Sequence, residues 1–373
     1  MKKKILSMVL VLMLAITLIA GCASESGESV ETGTAETGDK GGLSVCFVVT
    51  GQLGDKSFND SANEGVSRIA SELGCTTKVI EIGRDQTKWQ PTFEDLAESG
   101  EYDVIITNGS NAGELIQEIS ENYLEQKFIL FDTSLEGDFP NVYAISYKQN
   151  EASYLAGVLA AMTTTSDMPY ANPDKKIGFI GGSEHPIITD FLVGYVEGAK
   201  SVDEEIQVYV SYIGSWDDTA KGKETAIAQF NQGVDITFPA AEQAGLGCVE
   251  AAVEMNKYII GVDSDQAMLF DESSPEKAAV ILTSVLKEVG NSLVRAITLE
   301  QEGTLPWGTF DTLGLKEEGV GIAKNAYYEK NVLDDMKEGV EAANKEVMEG
   351  KVIVTSALED EGSANKIIDS VAP

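Results

Sequence analysis

The sequence predicts an α/β protein with two doubly wound sheets, and three observations support this prediction. Short apolar runs alternate with helical patterns along residues 43–263, a spacing typical of parallel strand–helix–strand units. The predicted strands are apolar on both faces, as expected for sheets that helices cover on both sides. The alternation restarts after the polar loop 163–174, which predicts two α/β domains rather than one large core.

The first series contains five predicted strands, at 43–50, 76–83, 102–109, 127–133 and 142–149. Its helices are predicted near 59–73, 88–99, 111–124 and 150–162. The second series contains strands at 175–181, 206–214, 235–240 and 258–263. Its helices are predicted near 186–200, 217–231 and 246–256.

The N-terminus predicts export and lipid attachment. Three lysines precede the apolar stretch 5–20, which ends in Ala20-Gly21-Cys22. This pattern is typical of a lipoprotein signal peptide over 1–21, after which the Cys22 thiol carries the lipid and becomes the mature N-terminus. A plain signal peptide that contains a cysteine is the alternative. Residues 22–42 would be the lipidated cysteine and a flexible tether, because they are rich in Ser, Gly, Thr and Glu.

Composition excludes several classes of function. The formal net charge of −34 excludes nucleic acid as a partner. The single histidine, His185, argues against a zinc enzyme or a histidine-activated nucleophile, and we interpret it as a surface residue at a helix start. Cys46, Cys75 and Cys248 lack metal-ligand spacing. Buried free thiols are favoured for Cys46 and Cys248, and one disulfide stays open.

An enzyme is the less favoured interpretation. The segment "GFIGG" (178–182) follows a strand but does not complete a dinucleotide-binding fingerprint. Asp132, Asp263 and Asp265 could form a carboxylate pair or a Mg²⁺ site, but no nucleophile–base pair or phosphate loop accompanies them. We therefore expect no catalytic residues, no cofactor and no metal.

Polar and aromatic side chains follow the predicted strands, where two facing domains would form a cleft. Phe58 and Phe238 come from opposite domains and would stack on both faces of a flat ligand. Asp132 and Asp263 suit ligand hydroxyls, Asn59 suits the edge of a heterocycle, and a lysine can meet a ligand oxygen. This set favours a nucleoside or nucleobase. The further candidates in the same loops are Lys287, Ser57, Asn108, Asn111, Trp216 and Gln243.

Each main candidate also has a purely structural alternative. Phe58 and Trp216 could pack inward, and for Trp216 this alternative is favoured. Asn59 and the two aspartates could cap helices or turns. Lys287 could be a solvated helix residue.

Five segments in order resemble the basic membrane protein family of bacterial substrate-binding lipoproteins, which includes the purine nucleoside receptors of ABC importers. They are "GDKSFNDSANEG" (54–65), "NEASYLAGVLAAM" (150–162), "KIGFIGG" with "FLVGYVEGAKSVD" (176–182 and 191–203), "IIGVDSDQ" with "LTSVLK" (259–266 and 282–287), and "GKVIVTS" (350–356), which matches the family's final strand. The resemblance implies the type I periplasmic-binding fold, with three crossovers near 146–150, 263–267 and 303–310. The first domain would be 43–148 plus 266–305, and the second 149–265 plus 306–373.

The resemblance also implies roles for the candidate residues. Phe58 and Phe238 would sandwich the base, and Asn59 would contact its edge. The two aspartates would hold polar ligand groups, with Asp263 on the ribose side, and Lys287 would complete the ribose pocket.

The chain differs from this family at three places near the predicted cleft. It has Thr50-Gly51-Gln52 where an aspartate is common, Glu242 and Gln243 where a loop is rich in glycine, and Asn111 where an aromatic residue is common. We expect the extra polar groups to affect which base is bound.

The predicted function is that of a monomeric, lipid-anchored receptor on the extracytoplasmic face of the cell membrane. It would hand guanosine, inosine or adenosine to an ABC permease. A receptor for another small solute, such as a nucleobase or an autoinducer-like sugar, is one alternative. A surface sensor or adhesin on the same fold is the other.

Overall fold

The computed structural model describes residues 42–371, which form two six-stranded sheets. Cys22 and the predicted signal peptide and tether lie outside these residues. The first sheet contains β1 (Ser44–Val49), β2 (Thr76–Glu81), β3 (Val104–Asn108), β4 (Lys127–Phe131), β5 (Val142–Tyr147) and β11 (Phe310–Leu313). The second contains β6 (Lys176–Gly181), β7 (Gln207–Tyr212), β8 (Ile236–Ala240), β9 (Tyr258–Asp263), β10 (Ile281–Lys287) and β12 (Val320–Ile322).

Helices cover the sheets. In chain order they are α1 (Phe58–Leu73), α2 (Trp89–Ser99), α3 (Gly109–Asn122), α4 (Gln149–Thr164), α5 (Pro186–Val202), α6 (Thr219–Asn231), α7 (Gly245–Met255), α8 (Gln266–Phe270), α9 (Pro275–Val280), α10 (Val289–Gln301), α11 (Ala326–Asn331), α12 (Asp334–Met348) and α13 (Glu361–Ile368). No helix within residues 42–371 is long and apolar enough to cross a membrane.

The two sheets have the same strand order. The first runs β11-β5-β4-β3-β1-β2 and the second β12-β10-β9-β8-β6-β7. Every pairing is parallel except that of β10 with β12. The central strands are buried along their whole length, as in β3, whose sequence VIITN is buried at every residue, because helices lie on both sides of the sheet. The predicted α/β class with two parallel-dominated sheets is confirmed.

We call the first sheet with α1, α2, α3 and α10 the first lobe, and the second sheet with the other helices the second lobe. The chain passes between the lobes after β5, after β10 and after β11. Three passages are therefore present, and the first lies between the end of β5 at Tyr147 and the start of α4 at Gln149.

Three elements correct the sequence-based boundaries. Strand β10 pairs with β9 in the second sheet, although 266–305 is predicted to belong to the first domain. Strand β11 extends the first sheet beside β5, although 306–373 is predicted to belong to the second. Residues 350–356 form no strand, although they are predicted to match the family's final strand. The Asn150 side chain donates hydrogen bonds to the backbone carbonyls of Val354 and Thr355 in this segment.

Helices α4 and α5 are held together by close glycine contacts. A Cβ atom on Gly198 would lie 1.9 Å from the carbonyl oxygen of Tyr154, and one on Gly194 would lie 2.1 Å from that of Asn150. From the other side, a Cβ on Gly157 would lie 2.1 Å from the carbonyl oxygen of Tyr195. The backbones therefore touch directly, and α4 is buried along almost its whole length.

We expect Gly198→Ala to lower the free energy of unfolding by about 1–3 kcal/mol, because the added methyl group overpacks this contact. The gain in helix propensity from alanine, about 1 kcal/mol, is too small to offset a clash with backbone. Urea denaturation measures the change. The matched control is Gly321→Ala in β12, where a Cβ meets no atom within 4 Å. Equal losses at both positions would contradict the packing argument.

Candidate functional site

A cavity of about 490 Å³, which includes its open mouth, lies between the lobes at the carboxyl ends of the strands. Aromatic, aliphatic and carboxylate side chains line it together. The lining residues are Phe58, Asn108, Ser110, Asn111, Asp132, His185, Ile187, Ile188, Phe191, Trp216, Ala240, Ala241, Glu242, Val262, Asp263 and Lys287.

A buried ion pair joins the two lobes at the wall of the cavity. Lys287, the last residue of β10, places its Nζ 2.6 Å from Oδ1 of Asp132, which follows β4. The two side chains are only 2% and 5% exposed. The ammonium also lies 5.0 Å from the ring centre of Phe191 and 5.5 Å from that of Phe58, within the distance of a cation–π contact.

A second contact between the lobes involves Asp263. The Ser57 hydroxyl, at the start of α1, donates a hydrogen bond of 2.6 Å to Oδ2 of Asp263. Burial raises the pKa of Asp263 to about 6; Lys287 opposes this rise, and the negative charge of Asp132 adds to it. Keeping the ionised Asp263 carboxylate in the cavity wall therefore costs free energy. A bound molecule that donates hydrogen bonds to it would reduce this cost.

The backbone at three cavity carboxylates is strained. Asp132, Asp263 and Glu242 have φ angles of 63°, 61° and 46°. This left-handed conformation costs a residue other than glycine roughly 1–2 kcal/mol. Asp132 follows β4 and Asp263 ends β9, so the two aspartates occupy matching places in the two sheets. Strain of this kind typically accumulates at functional sites.

The turn before α1 explains the position of Asn59. The carboxylate of Asp55 accepts hydrogen bonds from the backbone N–H groups of Ser57, Asn59 and Asp60. The N-cap residue is Ser57, so Asp55 satisfies the first turn of α1 and the Asn59 side chain does not cap the helix. Burial raises the pKa of Asp55, and these hydrogen bonds oppose the rise. The Asn59 side chain instead donates to Asp55 at 2.9 Å and to Oε2 of Glu242 at 3.0 Å.

Glu242 receives a second donor from the first lobe. Nη2 of Arg84 lies 2.5 Å from the same Oε2 atom, and the Arg84 guanidinium lies 5.7 Å from the ring centre of Trp216. Burial raises the pKa of Glu242 to about 7; Arg84 opposes this rise, while the charges of Asp55 and Asp263 add to it.

Each of the three cavity carboxylates keeps one free oxygen atom. Oδ2 of Asp132, Oε1 of Glu242 and Oδ1 of Asp263 accept no hydrogen bond from any of residues 42–371. None of the three is among the fully buried polar atoms that lack a partner. They therefore remain accessible from the cavity and can accept hydrogen bonds from a bound molecule.

Most of the sequence-predicted candidates meet at this cavity. Ser57 and Asn59 are buried behind its wall and reach it through Asp263 and Glu242. Gln243 does not line it. The candidates that line it directly are Phe58, Asn108, Asn111, Asp132, Trp216, Asp263 and Lys287.

The position of Phe238 is a correction. Its ring is 0% exposed and packs against Phe179, Phe191 and Tyr195 at centroid distances of 5.4–5.8 Å. The side chain points into the core beneath β8 and does not line the cavity. Phe191 on α5 packs against Phe238 and lines the cavity itself, where the sequence analysis expects Phe238.

His185, Asp265 and the cysteines also have defined places. His185 is the N-cap of α5, where its Nδ1 accepts from the backbone N–H of Ile187 at 3.3 Å, and it lines the cavity as well. Burial lowers the pKa of His185. Asp265 caps α8 away from the cavity. Cys46, Cys75 and Cys248 are buried free thiols.

Residues 42–371 contain no group of three or more His, Cys, Asp or Glu side chains arranged to hold a metal ion. The lining residues that sequence reasoning does not select are mainly on α5 and in the turn after β8. Phe191 lies inside helix α5, and nothing in the sequence around it indicates that it lines a binding site. Glu242 is not among the predicted site residues, but the sequence gives a signal for it, because it is a polar departure from the family near the predicted cleft, two positions after an apolar strand.

The sequence model of the family described as "ABC transporter substrate-binding protein PnrA-like" matches residues 43–356 of this chain. The "ABC transporter nucleoside-binding protein BmpA" of Lactococcus lactis subsp. cremoris is 30% identical, over 95% of this chain and 100% of its own. "Basic membrane protein D" of Borreliella burgdorferi is also 30% identical, over 81% of this chain and 85% of its own. A solute-binding protein of an ABC transporter system from Aeropyrum pernix K1 has the same fold, with a TM-score of 0.76 and 24% identity, and covers 88% of this chain and 99% of its own.

Asp263→Asn tests the burial of the cavity carboxyl group. The pKa of about 6 in the folded state lies above the ordinary value of 3.8, so the stability that the proton provides is lost as the pH rises through about 6. The asparagine introduced by this substitution does not titrate. We compare the unfolding free energy of the variant with that of the unmodified chain at each pH. The difference should grow in favour of the variant by on the order of 2–3 kcal/mol as the pH rises from about 4 to 7.

Urea denaturation at several pH values measures this gain. Asp360→Asn is the control with the opposite sign, because hydrogen bonds from Ser363 lower the pKa of exposed Asp360. A difference between Asp263→Asn and the unmodified chain that stays constant with pH would contradict the assignment.

Proposed function

The chain belongs to the PnrA-like family of ABC transporter substrate-binding proteins, and on that premise we propose that it captures a purine nucleoside between its two lobes. Proteins of this family bind a solute for a transporter rather than convert it. We accordingly propose no enzymatic activity. The bound nucleoside would be guanosine, inosine or adenosine.

The observation that carries the proposal is the set of three free carboxylate oxygens, on Asp132, Glu242 and Asp263. A molecule that satisfies them must offer several hydrogen-bond donors in different directions. A nucleoside does so with its ribose hydroxyls and with the N–H groups of its base. Asp132 and Asp263 are near Lys287, whose ammonium can in turn donate to a ribose oxygen.

The remaining walls favour a flat, neutral ring system. Phe58, Phe191 and Trp216 expose aromatic surface to the cavity, and Ile188 and Val262 add aliphatic surface. Aromatic faces stack on heterocyclic bases with little regard to sequence or substituents. Simple sugars also offer many hydroxyl donors, but they use less of this flat apolar surface. The printed name of the Lactococcus lactis relative, a nucleoside-binding protein, supports the same choice.

The cellular setting completes the proposal. Cys22 would carry a lipid that anchors the protein at the extracytoplasmic face of the membrane, and residues 23–42 would be its tether. The body would act as a monomer whose two lobes close on the ligand as separate domains. The closed form would deliver the ligand to the permease subunits of an ABC importer.

Calorimetric titration of the full chain in detergent tests the ligand class. We expect guanosine, inosine or adenosine to bind, and ribose, glucose, free nucleobases and short peptides to bind weakly or not at all. Tight binding of a sugar with no response to any nucleoside would contradict the proposal. Uptake of labelled nucleoside by cells with and without the gene separates import from sensing, since a sensor or adhesin leaves uptake unchanged.

Phe58→Ala tests the stacking surface. We expect it to weaken nucleoside binding by on the order of 1–3 kcal/mol, the contribution of one aromatic ring stacked on a base. The control is Phe310→Ala in edge strand β11, whose ring is 43% exposed and does not line the cavity. If both variants bind as tightly as the unmodified chain, Phe58 is only a packing residue.

A further inference from the structure

Glu242 occupies an unusual position for a charged residue. It begins a short 3₁₀ turn, Glu242–Ala244, which Ala241 separates from β8, and it adopts a left-handed φ of 46°. Its side chain is 13% exposed and lines the cavity. It lies opposite the first lobe, from which both of its polar partners come.

Those two partners fix the orientation of the carboxylate. Asn59 and Arg84 both donate to Oε2, and the guanidinium of Arg84 is itself held over the ring of Trp216. With Oε2 held by two donors, rotation of the carboxylate is restrained. Oε1 is therefore a positioned acceptor, and it receives no hydrogen bond from residues 42–371.

The chemistry of Oε1 discriminates between base edges. A carboxylate oxygen accepts from N–H and repels a ring nitrogen that carries a lone pair. Guanosine and inosine have N–H at ring position 1, whereas adenosine has a lone pair there. The neighbouring charges of Asp55 and Asp263, which face Glu242, also favour a donor over an acceptor at this wall.

We propose that Glu242 is a specificity-determining residue that selects 6-oxopurine nucleosides by accepting a hydrogen bond from the ring N–H at position 1. This inference rests on the proposed function. It adds which purine nucleosides the site prefers and which atom distinguishes them.

Glu242→Gln is an informative variant because its orientation is determined. Asn59 and Arg84 are donors, so the carbonyl oxygen of the introduced glutamine would face them and its NH₂ group would face the cavity. The variant then presents a donor where the unmodified chain presents an acceptor. The shape of the side chain and the hydrogen bonds from Asn59 and Arg84 are retained, while the charge attraction to Arg84 is lost.

The experiment is calorimetric titration of the full chain in detergent at pH 8, above the pKa of Glu242, with inosine, guanosine, adenosine and 1-methylinosine. We expect the unmodified chain to bind inosine at least about 10-fold more tightly than 1-methylinosine or adenosine. We expect Glu242→Gln to weaken inosine and guanosine binding about 10- to 100-fold, the loss of one hydrogen bond to a charged group. Adenosine binding should change less than about threefold or become tighter.

Glu254→Gln on α7 is the matched control, because Glu254 is 57% exposed and pairs with Lys223 on the protein surface; it should bind every nucleoside as the unmodified chain does. Thermal unfolding of each variant verifies that it is folded. Equal losses for inosine, guanosine and adenosine in Glu242→Gln would mean that Glu242 only holds the lobes together, and would overturn the inference alone. Unchanged binding in this variant would overturn it too. If the unmodified chain binds no nucleoside, the proposed function and the inference both fail.

Discussion

The relative position of the two lobes depends on the buried ion pair between Lys287 and Asp132. Taking both charges out of water is costly, and removal of either partner leaves the other uncompensated, which typically costs several kcal/mol. The pair is surrounded by the rings of Phe58, Phe191 and Tyr147, so water cannot easily replace a missing partner. Both residues of the pair line the cavity together with Phe58 and Phe191, so this contact between the lobes forms part of the cavity wall.

The two lobes share a strand order and a strand-end aspartate, but the third cavity carboxylate, Glu242, belongs to the second lobe alone. Both sheets have the same strand order, and each has an aspartate with a left-handed backbone at the end of a central strand, Asp132 in one lobe and Asp263 in the other. Glu242 has no such counterpart among the cavity residues of the first lobe. The two aspartates, which the lobes share, therefore suit the part of a ligand that is rich in hydroxyl groups. Glu242, held by Arg84 and Asn59, suits the hydrogen-bonding edge of a ring system.

Sequence patterns predict the sheets and several cavity residues, because the carboxyl ends of parallel strands always meet at one edge of a sheet. Asp132 and Asp263 are found this way. Phe238 is misplaced because a strand that is apolar on both faces gives no sign of which side chains face the cleft. Phe191 is missed because its contact with the cavity depends on how α5 packs. The second and third passages between the lobes are also misplaced. No strand is predicted at 281–287, where β10 pairs with β9, and the pairing of β11 with β5 joins residues that are far apart in the chain.

The three free carboxylate oxygens have a consequence for an unloaded receptor. If the lobes closed on nothing, one oxygen atom of each of Asp132, Glu242 and Asp263 would be enclosed without a donor, while the other oxygen kept its protein partner. Enclosing these oxygen atoms without donors would cost free energy and would favour the open form of an empty receptor. A ligand with suitable donors would remove this cost. Under the proposed function, the permease would then meet closed receptors that carry cargo, and empty ones would not compete for its docking surface.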